Sequence, residues 1–482
     1  MQTENIIKPY LSKANTFIIF ALVFFSGFAN LATEIIGPRL FASIFGYTTT
    51  IWAIIIAITL LGISVGYYIG GRISAEKVTK LLPLILLANA FWLLAISWII
   101  WELPAQLTNL GILVVLLTAF IAFFIPATLF SMTSPFAITL FSINQHSSQI
   151  SRTVGNIYAL STVGSVLGAL LAAYFFIPWV GLSLSLRIFA IMLVLFAIFF
   201  FSKRTRFIAV ICLLLTLLIP QPTFQWNTDM QLLTQQEGYY QTIRVYLDDP
   251  FLRFYLGPTN QSEIDVHTRE PKFDYSRIIF ENIKEVQGKK SLIIGGAGHA
   301  IAHTLEQRGA TVTEVEIDAV VVNVSDEFFD KIKGDVVVQD GRAFVEKAPS
   351  STYDYIFIDA FNALSIPPQL TSLEFFSSIQ RILKPDGRLI VNFIGLANGE
   401  HAQGYRTMSA TISKVFSDTR ILFVYGEKVQ EVQNILFFAS SQPIQDLQLA
   451  HAPVDGFILT DDLNPIEIFF EESFRGELVY QR

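Results

Sequence analysis

Cysteine is almost absent: Cys212 is the only one in 482 residues, and it lies in an apolar run. A single thiol excludes a disulfide framework and a cysteine-based metal site, and no metal is expected. Acidic residues are nearly missing from the first 220 positions, where Glu4, Glu34, Glu76 and Glu102 stand against eleven Lys and Arg. The remainder holds 36 acids and 22 bases, a net charge of −14. A basic face is therefore lacking there, so nucleic acid is not an expected partner. The chain is 52% hydrophobic, too apolar for an ordinary soluble protein, and the apolar residues are unevenly spread. One half reads as membrane and the other as an acidic water-soluble region.

A helix that crosses a bilayer needs about 20 apolar residues. Candidate spans are 17–37, 48–71, 81–101, 107–130, 154–180, 183–202 and 207–220, so that residues 1–220 form a multi-span α-helical membrane domain of six or seven helices. The first is too long and too deep in the chain for a signal peptide and reads as a retained span. Gly62, Gly66 and Gly70 recur every fourth residue, as do Gly164 and Gly168, a spacing that lets helix backbones touch. Glu34 is the one acid inside a span; it is either functional or paired with Arg39. With the N-terminus cytoplasmic, only Arg39 and Arg187 of the eleven bases fall outside, as the positive-inside rule requires. The expected location is the cell (inner) membrane, multi-pass. The last candidate has 14 residues: if it crosses, the C-terminal region is external; if not, it is cytoplasmic.

From 222 the texture changes. "YYQTIRVYLDDPFLRFYLG" reads as two strands joined by an Asp-Asp-Pro turn, within a small β-region over 222–270. Over 271–482 short apolar strands alternate with helical stretches: "SLIIGG", "TVTEVEID", "GDVVVQDG", "DYIFIDA" and "GRLIVNF", each followed by a helix. Such alternation implies a parallel, doubly wound sheet. "RILFVYG" and "NILFFAS" close it as an antiparallel pair, the layout of a Rossmann-like, S-adenosylmethionine-type α/β domain.

Ligands of these sheets bind beyond the carboxyl ends of the strands. The first strand carries Gly295-Gly296-Ala297-Gly298, a turn through which backbone can approach a ligand. The second ends in Glu316 and Asp318, either of which suits ribose hydroxyls. Asp340-Gly341 follows the third, in reach of an adenine edge, and Asp359 ends the fourth. Together they point to an adenosine-bearing ligand. NAD is the rival; Ile301 replaces the third glycine of its fingerprint, and an Asp-Gly after the third strand is foreign to it.

These motifs, with "YYQTIRVY", "NQS" at 260–262 and "LKPDGRLIVNF", resemble the spermidine synthase (polyamine aminopropyltransferase) family. "SGFANLATEIIGPRL", "GNIYALSTVGSVLGALLAAYFFIPWVGL" and "LTDDLNPIE" are similar to the membrane segment and closing motif of its membrane-fused bacterial members. The resemblance implies transfer of an aminopropyl group from decarboxylated S-adenosylmethionine to an amine such as putrescine, with no metal. It implies that Gly295, Gly296, Gly298, Glu316, Asp340 and Gly341 hold the cosubstrate, and that Asp359 is catalytic, taking the amine's proton. Gln241, Tyr275, Asn362 and Asp461 are the expected acceptor-site residues; Asp461 and Asp462 either fold back over the pocket or form a surface turn. The implied partners are a small-molecule amine and the lipid bilayer; a homo-oligomer stays open.

The chain also departs from that pattern. Gly298 and Asn362 stand where polyamine-making members carry aspartates, and Tyr275-Ser276-Arg277 replaces Tyr-His-Glu. Nucleoside binding is retained while putrescine recognition is weakened. Intact S-adenosylmethionine with another, membrane-embedded acceptor is the second reading. A non-catalytic transporter or sensor built around Glu34 is the third. His299 either touches ligand or makes a local hydrogen bond.

Overall fold

A computed structural model describes residues 13–45, 48–106, 112–142, 147–200, 206–218, 230–283, 285–361, 366–399, 402–428 and 431–469. The chain divides into two units, Met1–Phe224 and Gln225–Arg482.

In the first unit the apolar runs become helices. Six are long and apolar enough to cross a membrane: Thr16–Ala42, Thr49–Gly70, Ala75–Ile100, Leu113–Ser142, Gln149–Val180 and Leu182–Phe200. The expected fourth span, ending at 130, runs on, because after Ser131 the helix resumes at Thr133 and continues to Ser142. The expected seventh is a 13-residue helix, Arg206–Leu218. At 1.5 Å per residue it is ~20 Å long, short of a hydrocarbon core of ~30 Å. The glycine spacings do bring backbones together. A Cβ on Gly164 or Gly168 would lie 2.2 and 2.1 Å from the carbonyl oxygens of Phe24 and Phe28, and one on Gly66 2.3 Å from that of Thr128. Glu34 is buried.

The second unit opens with an antiparallel sheet of β1 (Gln231–Glu237), β2 (Thr242–Asp248), β3 (Phe251–Leu256) and β4 (Thr259–Asp265), in that order. The Asp-Asp-Pro turn joins β2 to β3 as expected. Ile243, Val245, Phe254 and Ile264 pack against Val321, Val324 and Phe329, next to the main domain's second strand.

After helix α1 (Asp274–Asn282) the main sheet begins. Its strands are β5 (Lys290–Ile294), β6 (Thr311–Glu316), β7 (Asp335–Val338), β8 (Tyr353–Ile358), β9 (Leu383–Gly395), β10 (Asp418–Phe423), β11 (Gln433–Ser440) and β12 (Ala450–His451). Their order is β12-β10-β11-β9-β8-β5-β6-β7. Pairing is parallel from β7 to β9 and antiparallel from β9 through β11 and β10 to β12. This is the expected parallel sheet with an antiparallel edge. Helices α2 (Ala300–Gln307), α3 (Ala319–Phe328), α4 (Gly341–Lys347), α5 (Leu373–Ile382) and α6 (Gln403–Val415) complete it. All six residues of β8 are buried, as in a strand covered on both faces. Its one acid, Asp354, is held by Lys384 at 2.7 Å and the Lys290 N–H at 2.9 Å. From β5 the chain steps outward to β6 and β7, then returns to β8 on the other side. The reversal between β5 and β8 is the switch point where such sheets leave a crevice.

Candidate active site

Asp359 and the glycine turn meet at that crevice. The Asp359 N–H donates to the Ile294 carbonyl at 2.9 Å, continuing the β5–β8 pairing one residue past β8. Gly295 has φ +90°, and a Cβ there would lie 2.5 Å from the Asp359 carbonyl oxygen. The two strand ends are thus in backbone contact, and only glycine fits.

The Asp359 carboxylate is held at both oxygens. Tyr275 Oη donates to Oδ2 at 2.9 Å and Asn392 Nδ2 to Oδ1 at 2.8 Å, while Asn434 Nδ2 donates to Asn392 Oδ1 at 2.9 Å. Tyr275 comes from α1, Asn392 from β9 and Asn434 from β11, so three elements fix one side chain. Burial pushes the Asp359 carboxyl above its usual range, opposed by the hydrogen bonds from Asn392 and Tyr275. Burial, reinforced by the Asp359 charge, drives the Tyr275 phenol well above its own.

These groups line a cavity of about 120 Å³. Gly295, Gly296, Tyr275 and Asp359 border it together, with Asn260, His299, Glu314, Asn392 and Asn434. Of these, Asn392, Asn434, Asn260 and Glu314 went unrecognised in the sequence. Asn392 was signalled only by a polar letter inside the apolar run "LIVNF".

The acids beyond β6 and β7 stand apart from this cavity. Glu316 accepts the Gly296 N–H at 3.2 Å and the Asp318 N–H at 3.0 Å. Burial raises it to about 7 against the pull of those two N–H groups. Asp318 is the N-cap of α3, accepting from Val320 N–H, which leaves Glu316 as the acid on the glycine turn. Asp340 caps α4 through the Ala343 N–H at 2.8 Å. Gly341 is buried, and a Cβ there would lie 2.6 Å from Ile294. Gly298 has φ +72° and faces Ser262 of β4.

Two expected acceptor-site residues are placed elsewhere. Gln241 sits in the β1–β2 turn, where its carbonyl accepts from Gly238 N–H. That turn lies against Asp318, whose Oδ2 takes the Tyr239 N–H at 2.5 Å. Asp461 does not reach Asp359. Arg342 binds it through both terminal nitrogens, at 3.1 and 2.7 Å, and Ser372 donates to it at 2.5 Å. An arginine that captures the carboxylate in a cleft of its own is the physical reason. Asn362 lies outside the described residues. His299, weighed between two roles, makes buried hydrogen bonds and also lines the cavity. Among the described residues no group of His, Cys, Asp and Glu is arranged to hold a metal.

Comparison with known proteins places this unit. Residues 273–446 match the spermine/spermidine synthase domain family. The probable polyamine aminopropyl transferase of Bifidobacterium longum is 33% identical over 135 residues, 27% of this chain and 30% of that protein. Spermidine synthase 1 of Hyoscyamus niger is 32% identical over 109 residues, 20% of this chain and 34% of that protein. The N-terminal histidine N-methyltransferase of Emericella nidulans is 33% identical over 113 residues, 22% of this chain and 20% of that protein. The chain thus matches about a third or less of the length of these relatives. The crystal structure of spermidine synthase from Thermotoga maritima aligns with a TM-score of 0.37 at 21% identity, over 45% of this chain and 76% of that one. Residues 273–446 are a spermine/spermidine synthase domain.

Proposed function

We propose that the chain is a membrane-anchored transferase of the spermidine synthase type, moving the aminopropyl group of decarboxylated S-adenosylmethionine to a small amine such as putrescine. The observation that carries this reading is Asp359, a carboxylate held at both oxygens at the β5–β8 switch point and lining the cavity. The amine nitrogen attacks the aminopropyl carbon next to the sulfonium. A C–N bond forms as the C–S bond breaks, the electron pair goes to sulfur, and methylthioadenosine leaves. An alkyl amine near neutral pH is mostly ammonium, so a proton must leave for the lone pair to act, and Asp359 accepts it. Its upward shift makes it a stronger base. The rest of the rate comes from alignment of nucleophile and leaving group. The glycine turn, Glu316 and Asp340 hold the nucleoside. The six apolar helices anchor the chain in the cell membrane with the N-terminus cytoplasmic.

Full-length protein in detergent, incubated with labelled decarboxylated S-adenosylmethionine and putrescine, is expected to release methylthioadenosine and spermidine in equal amounts. Neither product, at any amine tested, overturns the reading. Intact S-adenosylmethionine is the companion arm. A methylated amine with S-adenosylhomocysteine would select methyl transfer instead, the reading that the similarity to a histidine N-methyltransferase favours.

A further inference from the structure

The cavity beside Asp359 holds a second carboxylate that the displacement step does not use. Glu314 lies on β6 opposite Ile293 of β5 and is 1% exposed. Gly296 makes room for it: a Cβ there would lie 2.1 Å from Glu314 Cδ and Oε1, so any larger residue would expel the carboxyl group. Oε1 is 2.7 Å from His299 Nδ1, and His299 Nε2 is 3.2 Å from Asp326 Oδ1. Each ring nitrogen thus faces a carboxylate oxygen, an arrangement that favours the protonated ring. Burial pulls His299 down, but the hydrogen bonds and charges of Glu314 and Asp326 more than offset it, leaving it above its ordinary value. His299 thereby fixes the orientation of Glu314.

Glu314 Oε2 has no partner, and neither has the side-chain oxygen of Asn260 across the same cavity. Both are buried acceptors, and an unmet buried acceptor is costly, above all a charged one. Among the described residues lining the cavity there is no Lys or Arg to supply a donor. The missing component is a cationic group with several N–H bonds, small enough to reach a carboxylate beside the glycine turn. A primary ammonium on a short aliphatic chain has that chemistry.

We propose that Glu314, positioned by His299, receives the primary ammonium of the aminopropyl donor, leaving Asp359 to the acceptor amine. This rests on the aminopropyl-transfer reading above. The test is calorimetric, on full-length protein with three probes: decarboxylated S-adenosylmethionine, its S-propyl sulfonium analogue, which lacks only the amine, and methylthioadenosine. Wild type should prefer the donor over the propyl analogue by about tenfold or more, ~1.4 kcal/mol, and the preference should survive Asp359→Asn. Glu314→Gln should abolish it while binding the propyl analogue and methylthioadenosine as wild type does. His299→Asn should reduce it in part. Equal wild-type affinities for donor and propyl analogue overturn the proposal, as does an undiminished preference in Glu314→Gln. If Glu314→Gln binds none of the probes, the Asp359→Asn arm decides: preference retained there supports Glu314, and preference lost refutes it. If wild type binds none of the three, the failure is that of the aminopropyl-transfer reading itself.

Discussion

Tyr275 and Asn392 each donate to Asp359, and a hydrogen bond to a carboxylate favours its charged form. Removing one lets burial act with less opposition, so the Asp359 pKa climbs further. In Tyr275→Phe the acidic limb of the kcat/KM profile is expected to move to higher pH, since the base must be deprotonated to act. Asp359→Asn, which leaves no base, should lower kcat by about 10²–10⁴ with no limb to move. A Tyr275→Phe profile superimposable on wild type would show that Asp359 does not set that limb. At this scale the sequence was legible where a polar residue ended an apolar strand, as Asp359 does after "DYIFI". It was silent where a polar residue sits inside one. Glu314 and Asn392 are single letters within "TVTEVEID" and "GRLIVNF", and only the neighbouring strands decide whether such a side chain meets solvent, core or cavity. The pairing of Asp461 was equally hidden: its partner Arg342 is 119 residues away, and no local pattern announces the pair.

The turn after β5 works as an element because two carboxylates and one backbone converge on it. Gly295 touches Asp359, Gly296 touches Glu314, and the Gly296 N–H is bound by Glu316. Gly295→Ala would force φ +90° on a residue with a Cβ and press it into the Asp359 backbone. Backbone strain of that kind costs about 1–3 kcal/mol, read as a lower unfolding midpoint together with loss of nucleoside binding. Glu316 gives the turn a pH signature. Its folded pKa of about 7 lies above the ordinary carboxyl value of 4.5, so the folded state holds the proton more tightly than the unfolded chain. Its stabilising contribution is full below about 4.5 and is lost as pH rises through about 7, amounting to ~3 kcal/mol at most. Melting midpoints of wild type should therefore fall relative to Glu316→Gln across that window and run parallel above it. Parallel curves throughout would mean that Glu316 is ionised in the folded protein at all these pH values. The elements themselves were readable: strand–helix alternation specified the parallel sheet, and two apolar runs across a short polar loop specified its antiparallel edge. The α-helix after Asp359 begins at Leu373 with Ser372 as its N-cap.

For the molecule as a whole the decisive quantity is the parity of the spans. Composition alone gave six or seven, because 207–220 is apolar enough to cross but too short to do so unaided. The helix there has 13 residues, Arg206–Leu218, and spans ~20 Å against a hydrocarbon thickness of ~30 Å. Closing that gap by thinning the bilayer is costly at each ångström of mismatch. Six spans with the N-terminus cytoplasmic return the chain to the cytoplasm, the compartment where S-adenosyl compounds are made, so the transfer reading and the span count require the same topology. Green fluorescent protein fused after Arg482 is expected to fluoresce, and alkaline phosphatase fused there to be inactive. Cys212, the only cysteine, allows an independent check: in Cys212→Ser, a cysteine introduced at exposed Tyr425 should resist a membrane-impermeant maleimide in intact cells and react after lysis. An active phosphatase fusion and labelling in intact cells would place the synthase domain outside, and an enzyme there would lack its cosubstrate.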